Sequence, residues 1–481
     1  MKLIFKIGLL ALVASLFMVG CPSDPVIPGP RGAGVYVDVD PESPTGYTVT
    51  FLYAPDYHRD LNAAVPVIRV DPQTVTRVQL YSETMLLIDP SNRAFYNPEL
   101  DPISGGNAYN LNNAGSQGLR IQPEDFEPGL VNAGGSGFWA LQRDLELDEE
   151  TGLWSISIPL PSGAFEYRYI ITSGLSNTAV SRLNDPANPT MVNTATGTRS
   201  LSSMVYVPYN AALQGTGKWA DRSYTYPRNG QNGRVVFEKY EAVFHTTDDP
   251  VPNDAPGATG NFTSPTASRL ENTRGLAIYL PFGYNPNRAQ PYPVLYISMG
   301  ASGDNIGNEM RWVHEGAGAN ILDNLIAAGD VEPFIMVSGN WQDMGSYNYG
   351  RVAHDMYNYI IPLMEEKYNV STEREGRAFA GLSMGGALST NFMWNAYEDF
   401  AYFGPWSHAS NNPDSFDWSN LDGATIHFGS GRWDYTMNNI FTLKDRIGDE
   451  LDYTYLEVPG GHDWVVWQTL LHDFAKNYLW K

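Results

Sequence analysis

Hydrophobic and polar residues alternate along much of the chain up to about residue 208. The alternation is clear in "GYTVTFLYAP" (46–55) and "TVTRVQLYS" (74–82), and a period of two residues predicts strands with one buried face. The stretch "LWSISIPLPSGAFEYRYIITSG" (153–174) predicts two strands around a Pro-Ser-Gly turn, and "SSMVYVP" (202–208) predicts a closing strand. Short strands with turn signals between them indicate a β-sandwich over residues 35–208.

Two features of this half do not follow the alternation. Residues 86–137 are rich in Asn, Gly and Pro, which indicates a long insertion. This half also contains Trp139 and Trp154, and we expect both in the core, since large aromatic residues are mostly buried.

The pattern changes in the second half to buried strands that alternate with amphipathic helices. First, "VVFEKYEAVF" (235–244) and "TRGLAIYLPFGY" (273–284) predict paired strands. Five further strands are then predicted, in "PVLYISMG", "PFIMVSGN", "GRAFAGLS", "ATIHFGSG" and "DYTYLEVPG". Helical spacing is found in "GANILDNLIAAG", "RVAHDMYNYIIPLMEEKYNV", "GGALSTNFMWNA", "NNIFTLKDRIGDE" and "WVVWQTLLHDFAKNYLW". This alternation predicts a mostly parallel sheet with helices on both faces over residues 233–481, joined to the β-sandwich by a linker at 209–232.

The first residues combine a positive start with a short apolar run. Lys2 and Lys6 precede the apolar stretch 7–19, which ends at the single cysteine, Cys21. This stretch resembles a bacterial lipoprotein signal peptide, which implies residues 1–21 as the signal, lipidation of Cys21 and an anchor in the cell envelope, at the outer-membrane surface or in the periplasm. A plain secretory signal is the alternative. The Pro- and Gly-rich residues 22–34 predict an extended tether.

Composition narrows the range of partners. The formal net charge of −23 argues against nucleic acid, because phosphate backbones are bound by clustered Lys and Arg. The sequence has no Cys/His cluster that would suggest a zinc site and no P-loop that would suggest a nucleotide. We therefore expect neither a metal nor a cofactor.

One glycine-framed serine suggests chemistry. "GLSMG" (381–385) fits G-x-S-x-G, follows an apolar strand and opens a helix, as a nucleophile elbow requires; the alternative is a structural glycine-rich turn. A serine nucleophile needs a base, and the base needs a carboxylate. Asp434 follows a predicted strand, and His462 follows the next strand in "VPGGHDW", so both have the required order; the adjacent Asp463 is interpreted as structural. For the oxyanion we expect the N–H groups of Met384 and Ala301.

The second half resembles the esterase D (putative esterase) family of α/β-hydrolases, close to feruloyl esterases of carbohydrate esterase family 1. The matching stretches are "YPVLYISMGASGDN", "GAGANILDNLIAAGDVEPFIMV", "YNVSTEREGRAFAGLSMGGALS" and "GGHDWVVW". The resemblance implies an α/β-hydrolase fold with Ser383 as nucleophile, Asp434 as acid and His462 as base. One departure is Met299-Gly300, where the family usually has His-Gly or Asp-Gly.

The first half resembles immunoglobulin-like, early-set modules of the CBM48 type, on the basis of "GLWSISIPLPSGAFEYRYII", "NDPANPT" and "SSMVYVP". Such modules often precede hydrolase domains in polysaccharide-active proteins. Some of them bind sugar, and others only pack against the hydrolase.

These resemblances imply hydrolysis of ester groups on plant polysaccharide, with removal of feruloyl groups from xylan as the leading hypothesis. The alternatives are an acetyl or other acyl esterase, an enterochelin-type siderophore esterase, and a non-catalytic glycan-binding lipoprotein. Aromatic side chains in two loops are candidates for stacking on substrate, with core packing as the alternative. The candidates for stacking are Trp341, Tyr347, Tyr349 and Trp406. His408 is a further candidate for contact with the substrate, with an exposed loop histidine as the alternative.

Overall fold

The structure, a computed structural model, describes residues 31–43, 45–55, 72–82, 84–85, 141–173, 178–200, 202–214, 221–242, 251–252, 255–257, 261–262, 273–301, 307–341, 349–410, 416–431, 434, 436–458 and 461–481. The predictions for the signal peptide, Cys21, the insertion at 86–137, Trp139 and Tyr347 lie outside these residues. Within them, no helix has the length and apolarity needed to cross a bilayer. Residues 33–481 form one compact unit.

Alternating apolar positions fold the described residues between 34 and 207 into antiparallel sheets, which we call the N-terminal β region. Its described strands are β1 (Gly34–Val39), β2 (Tyr47–Tyr53), β3 (Val75–Ser82), β4 (Leu141–Asp144), β5 (Glu146–Asp148), β6 (Leu153–Pro159), β7 (Gly163–Ser173), β8 (Thr178–Leu183) and β9 (Ser203–Val207). One sheet has the order β1-β2-β6-β5, and the other has β4-β3-β7-β8 with β9 also paired to β7.

The two sheets share one apolar core. Phe51 of the first sheet and Phe165 and Tyr167 of the second belong to it, and all three are fully buried. The two strands predicted around the Pro-Ser-Gly turn are present as β6 and β7, but they lie in different sheets. The turn therefore carries the chain from one layer to the other. Trp154 packs in this core, as expected.

The second half forms an eight-stranded sheet of order β10-β13-β15-β14-β16-β17-β18-β19. Its strands are β10 (Arg234–Glu241), β13 (Thr273–Leu280), β14 (Val294–Ser298), β15 (Ile335–Gly339), β16 (Arg377–Leu382), β17 (Tyr402–Trp406), β18 (Thr425–Gly431) and β19 (Thr454–Val458), with a separate short pair, β11 (Val251–Pro252) and β12 (Asn261–Phe262). The predicted pairing of β10 with β13 is confirmed and is antiparallel. From β15 to β19 all neighbours are parallel.

Helices cover both faces of this sheet, which confirms the predicted layering. The described helices are α1 (Ala211–Gln214), α2 (Asn308–Arg311), α3 (Gly318–Ala328), α4 (Tyr349–Asp355), α5 (Ile361–Lys367), α6 (Met384–Asn395), α7 (Met437–Ile447) and α8 (Trp464–Asn477). Apolar residues of α3 and α8 pack in the core on one face. Those of α4 to α7 pack in the core on the other.

Two local features differ from the sequence prediction. Strand β17 was not predicted, because its sequence "YFGPW" contains Gly and Pro, which are disfavoured in strand interiors. The helix predicted over 351–370 is interrupted by a π-helical segment, Met356–Ile360, between α4 and α5. This strand matters for the site, because Gly404, Pro405 and Trp406, which the sequence places in a substrate-lining loop, belong to β17.

Candidate active site

Ser383 occupies a strained turn between β16 and α6. Its backbone has φ +55° and ψ −121°, a conformation that non-glycine residues rarely adopt and that often marks functional positions. Two glycines make the turn sterically feasible. A Cβ on Gly385 would lie 2.5 Å from the carbonyl oxygen of Ser298, and a Cβ on Gly381 would lie 2.6 Å from the backbone of Gly385. The strand–turn–helix context predicted for "GLSMG" is therefore present.

Asp434 and His462 are joined directly. Nδ1 of His462 lies 3.0 Å from Oδ1 and 3.0 Å from Oδ2 of Asp434. Because a carboxylate only accepts hydrogen bonds, this contact assigns the proton to Nδ1. Nε2 is then the ring nitrogen that can accept a proton, as a general base requires.

Further contacts hold Asp434 in place. It is fully buried, and the backbone N–H of Thr436 donates to Oδ1 at 2.8 Å. The hydroxyl of Thr436 lies 2.6 Å from the same oxygen and also contacts the carbonyl of Ser407. Thr436 is not among the residues predicted from the sequence, although an aspartate two residues before a threonine is a common signal for such a local turn.

Backbone and ring contacts relate the three candidate residues. The N–H of Ser383 donates to the carbonyl of Trp406 at 2.9 Å, and the next residue, Ser407, contacts Thr436. The indole Nε1–H of Trp467 donates to Ser407 Oγ at 2.8 Å. The Trp467 ring also packs edge-on against His462, with centroids 5.0 Å apart. The loops after β16, β18 and β19 thus meet at the carboxyl edge of the sheet, where sites of open α/β sheets form.

Asp463 has the structural role that the sequence suggested. Its Oδ1 accepts from the N–H of Val466 at 3.1 Å and its Oδ2 accepts from the N–H of Gly461 at 2.8 Å, so it caps α8. Burial raises the pKa of this carboxyl to about 7, even though the backbone hydrogen bonds and the charge of Arg222 lower it.

The backbone groups predicted for the oxyanion lie around Ser383. The N–H of Met384 belongs to the first turn of α6, whose N–H groups the helix itself does not pair. Gly300 approaches Ser383 so closely that a Cβ there would lie 2.7 Å from the Cβ of Ser383. Ala301 follows and is exposed. Met299 is 3% exposed, and its side chain packs in the core beneath the sheet.

Two candidate substrate residues are core residues instead, which corrects the stacking prediction. Trp406 is fully buried in β17, where its Nε1–H donates to Nδ1 of His427 at 3.1 Å. Trp341 is 1% exposed and stacks on Phe379. A completely enclosed indole offers no face to a ligand, so core packing, the alternative, describes both.

Two other candidates lie nearer the surface. Tyr349 is partly exposed, and its hydroxyl donates to the carbonyl of Pro256 at 2.6 Å. His408 is also partly exposed, and its Nε2 lies 3.1 Å from Nδ2 of Asn439. Burial lowers the pKa of His408, and so does the neighbouring His462, while a hydrogen bond with the backbone of Ala409 and the charge of Asp434 raise it. His408 therefore lies close enough to His462 to interact with it electrostatically.

Among the residues that the structure describes, no group of three or more His, Cys, Asp or Glu side chains has an arrangement that would hold a metal ion.

The chain is similar to several known proteins. Residues 267–478 match the family model described as "Putative esterase". Among curated proteins, endo-1,4-beta-xylanase Y of Acetivibrio thermocellus is 30% identical over 185 residues, which cover 35% of this chain and 16% of that protein. An endo-1,4-beta-xylanase/feruloyl esterase of Xylanibacter ruminicola is 31% identical over 137 residues, which cover 26% of this chain and 18% of that protein. The chain thus spans less than a fifth of either relative.

Two solved structures show more distant similarity. The CE1 ferulic acid esterase of Anaeromyces mucronatus is 17% identical, with a TM-score of 0.41, and the match covers 54% of this chain and 95% of that one. The enterobactin esterase of Shigella flexneri is 12% identical, with a TM-score of 0.49, over 92% of this chain and 96% of that one. The family match spans Ser383, Asp434 and His462, and the C-terminal region has the layering of parallel strands and helices predicted from the sequence.

Proposed function

We propose, from the match of residues 267–478 to the putative esterase family model, that the protein is a serine carboxylic-ester hydrolase that acts on acylated plant polysaccharide. The observation that carries the proposal is the contact of His462 Nδ1 with both oxygens of Asp434, at the same sheet edge as the strained Ser383. A buried carboxylate, an oriented imidazole and a serine on a tight turn are the components of acyl transfer.

In the proposed mechanism, Ser383 attacks the ester carbonyl while Nε2 of His462 takes the hydroxyl proton. Asp434 keeps the imidazole in the required tautomer and stabilises the imidazolium that forms. The N–H groups of Met384 and Ala301 donate to the tetrahedral oxyanion. His462 then protonates the departing alcohol, and a water molecule, activated by His462, releases the acid from Ser383.

The substrate proposed first is a feruloyl ester on xylan. Support comes from the names of the relatives: one is a xylanase, and the other a xylanase/feruloyl esterase. The net charge of −23 is compatible with a neutral acyl sugar. His408, partly exposed and near His462, is the candidate retained for contact with the substrate. Acetyl and other acyl esters are the alternative substrates.

We extend the proposal to the rest of the chain. The N-terminal β region is proposed to be an immunoglobulin-like module related to the CBM48 type, since its two sheets share a core. Residues 1–21 are proposed to direct lipidation of Cys21 and attachment to the bacterial cell envelope. Both proposals rest on the sequence resemblances given above.

The test is ferulate release from methyl ferulate and from feruloylated arabinoxylan, with a soluble chain that begins after Cys21. Ser383→Ala is the matched control. Release by the parent and not by Ser383→Ala supports both the nucleophile and the aromatic acyl class. Activity confined to acetyl or nitrophenyl esters would move the substrate to the alternative class. Absence of activity on all of these esters would favour a non-catalytic glycan-binding protein.

A further inference from the structure

The core of the N-terminal β region extends onto the helix that follows His462. Val465, in the first turn of α8, is 1% exposed and packs in the same cluster as Phe165 and Tyr167 of β7. The next residue, Val466, packs in the core of the C-terminal sheet. The first turn of α8 is thus shared between two cores, and His462 lies immediately before it.

Hydrogen bonds and a ring contact hold the same helix further along. Nε2 of the buried Gln468 donates to the carbonyl of Ala164 at 3.4 Å and to the carbonyl of Glu315 at 3.1 Å. Tyr224 lies in the segment 221–232, which joins the two halves. Its hydroxyl lies 3.1 Å from Oγ1 of Thr469, and its ring stacks on His472 with centroids 4.0 Å apart.

The same segment contains Arg222, a buried charged residue that interacts electrostatically with the N-terminal cap of α8. Arg222 is 5% exposed, and its backbone N–H donates to Oγ of Ser162 at 3.3 Å, in the turn between β6 and β7. Its positive charge acts on Asp463, which caps α8 and is bonded in sequence to His462. This charge lowers the pKa of Asp463, although burial raises it more, so a residue outside the predicted esterase domain acts on the cap of α8.

A second set of contacts holds the chain that follows the oxyanion loop. Oε1 of the buried Glu309 accepts from Nδ2 of Asn193 at 2.8 Å and from Oγ1 of Thr198 at 3.0 Å. Oγ of Ser200 donates to Oε1 of Glu315 at 3.2 Å. The residues on one side of these bonds belong to the N-terminal β region, and those on the other side follow Ala301 in the chain.

We infer that the N-terminal β region positions His462 by holding the first turn of α8. The inference rests on the proposed esterase function. It gives this region a role in the reaction that does not require sugar binding. The physical reason is that transfer of the serine proton depends on sub-ångström placement of the imidazole, and small displacements from remote changes lower the rate strongly. Val465, Gln468 and Tyr224 are positioning residues in this scheme, because they act through His462.

The test compares two isosteric changes in one core. Val465→Thr places a hydroxyl where α8 enters the N-terminal core. Val78→Thr makes the same change in β3, where Val78 is also fully buried and pairs with Ile171. Ile171 lies seven residues along β7 from Ala164, whose carbonyl accepts from Gln468 of α8. Seven residues correspond to about 23 Å of strand, so Val78 lies far from that contact. Both variants disturb the core of the N-terminal β region, but only Val465→Thr disturbs the packing of α8 against that core.

We expect Val465→Thr to lower kcat about 10-fold with KM changed less than about 2-fold, since binding is intact and the base is displaced. Val78→Thr should lower the melting temperature with kcat within about 2-fold of the parent. The second readout is the downfield proton NMR signal of His462 Nδ1–H, which should shift or broaden in Val465→Thr and stay unchanged in Val78→Thr. This signal needs no substrate.

Equal kcat values and equal NMR signals for the two variants would overturn the inference. If the parent hydrolyses no ester, the proposed function fails, while the NMR comparison still decides whether His462 is positioned from the N-terminal β region. If Val465→Thr does not fold, Gln468→Met replaces it. That change removes both bonds of the Gln468 amide at similar volume and should also lower kcat and alter the His462 signal. An unchanged signal in that variant would reject the inference.

Discussion

Asp434 contacts His462 through both carboxylate oxygens, each 3.0 Å from Nδ1. The arrangement limits the imidazole in two ways, since it fixes which nitrogen carries the proton and in which plane the ring lies. Thr436 holds the carboxylate from the other side, and Trp467 packs on the ring. The pair is therefore organised before any substrate binds.

Asp434→Asn tests the orienting role. The amide group can donate a hydrogen bond to Nδ1, which would favour the tautomer with the proton on Nε2 and leave no base for Ser383. We expect kcat to fall by about 10⁴-fold at pH 7, with circular dichroism unchanged. Steady-state hydrolysis of a nitrophenyl ester measures the effect.

The control is Asp417→Asn, which makes the same change at an exposed aspartate that caps the short helix Trp418–Leu421. Its kcat should stay within about 2-fold of the parent, because surface substitutions have small effects. An Asp434→Asn enzyme that keeps more than about a tenth of the activity would show that another group orients His462.

Much of this arrangement could be predicted from order and spacing along the chain. The glycines around Ser383 and the apolar run before it identify an elbow. Asp434 and His462 each follow a predicted strand. Because parallel strands end at one edge of a sheet, residues after their carboxyl ends are expected to meet there. Asp463 was likewise interpreted as structural from its adjacency to His462, and it caps α8.

The direction of individual tryptophan side chains could not be predicted. Trp406 was assigned to a loop because the Gly-Pro pair before it is unusual in strands, so its burial was missed. Trp341 lies two residues after the end of β15, and whether its ring turns to the core or to the ligand depends on packing against Phe379. The packing of Val465 in the core of the N-terminal β region could not be predicted either, because an apolar helix position does not reveal which core it fills.

The raised pKa of Asp463 predicts that the free energy of unfolding depends on pH. Burial raises its pKa from 3.8 to about 7 in the folded protein, so the folded state holds a proton that the unfolded state releases near pH 4. The free energy of unfolding should therefore decrease as pH rises from about 4 to about 7, by at most about 1.4 kcal/mol per pH unit. Above that range this contribution should be constant.

Asp463→Asn removes this titration and keeps a side-chain oxygen that can cap α8. Urea unfolding of the parent and the variant between pH 4.5 and 8.5 measures the difference. We expect the variant to gain stability relative to the parent as pH rises through that window. A difference that does not vary with pH would show that Asp463 titrates alike in the folded and unfolded states.

His427→Phe tests the support beneath β17. Nδ1 of the fully buried His427 accepts from Trp406, and its Nε2 lies 3.0 Å from Oδ2 of Asp473. Phenylalanine preserves the ring packing but leaves the indole N–H without an acceptor. The free energy of unfolding should fall by about 1–3 kcal/mol, measured by urea titration of tryptophan fluorescence. Asp473→Asn keeps the hydrogen bond between His427 and Trp406 and should lower the free energy of unfolding by less than about 1 kcal/mol. A larger loss in Asp473→Asn than in His427→Phe would place the main support at Asp473.

Met299→His tests whether the departure from the family pattern limits activity. Because the Met299 side chain packs in the apolar core, an imidazole at this position would be buried without a partner and would not reach Ser383. We expect a loss of about 1–3 kcal/mol in the free energy of unfolding and no gain in kcat. Met299→Leu, of similar volume, should cost less than about 1.5 kcal/mol. Thermal melts and ester hydrolysis check both variants. A higher kcat for Met299→His would mean that this side chain shapes the oxyanion loop, and that methionine at 299 lowers activity.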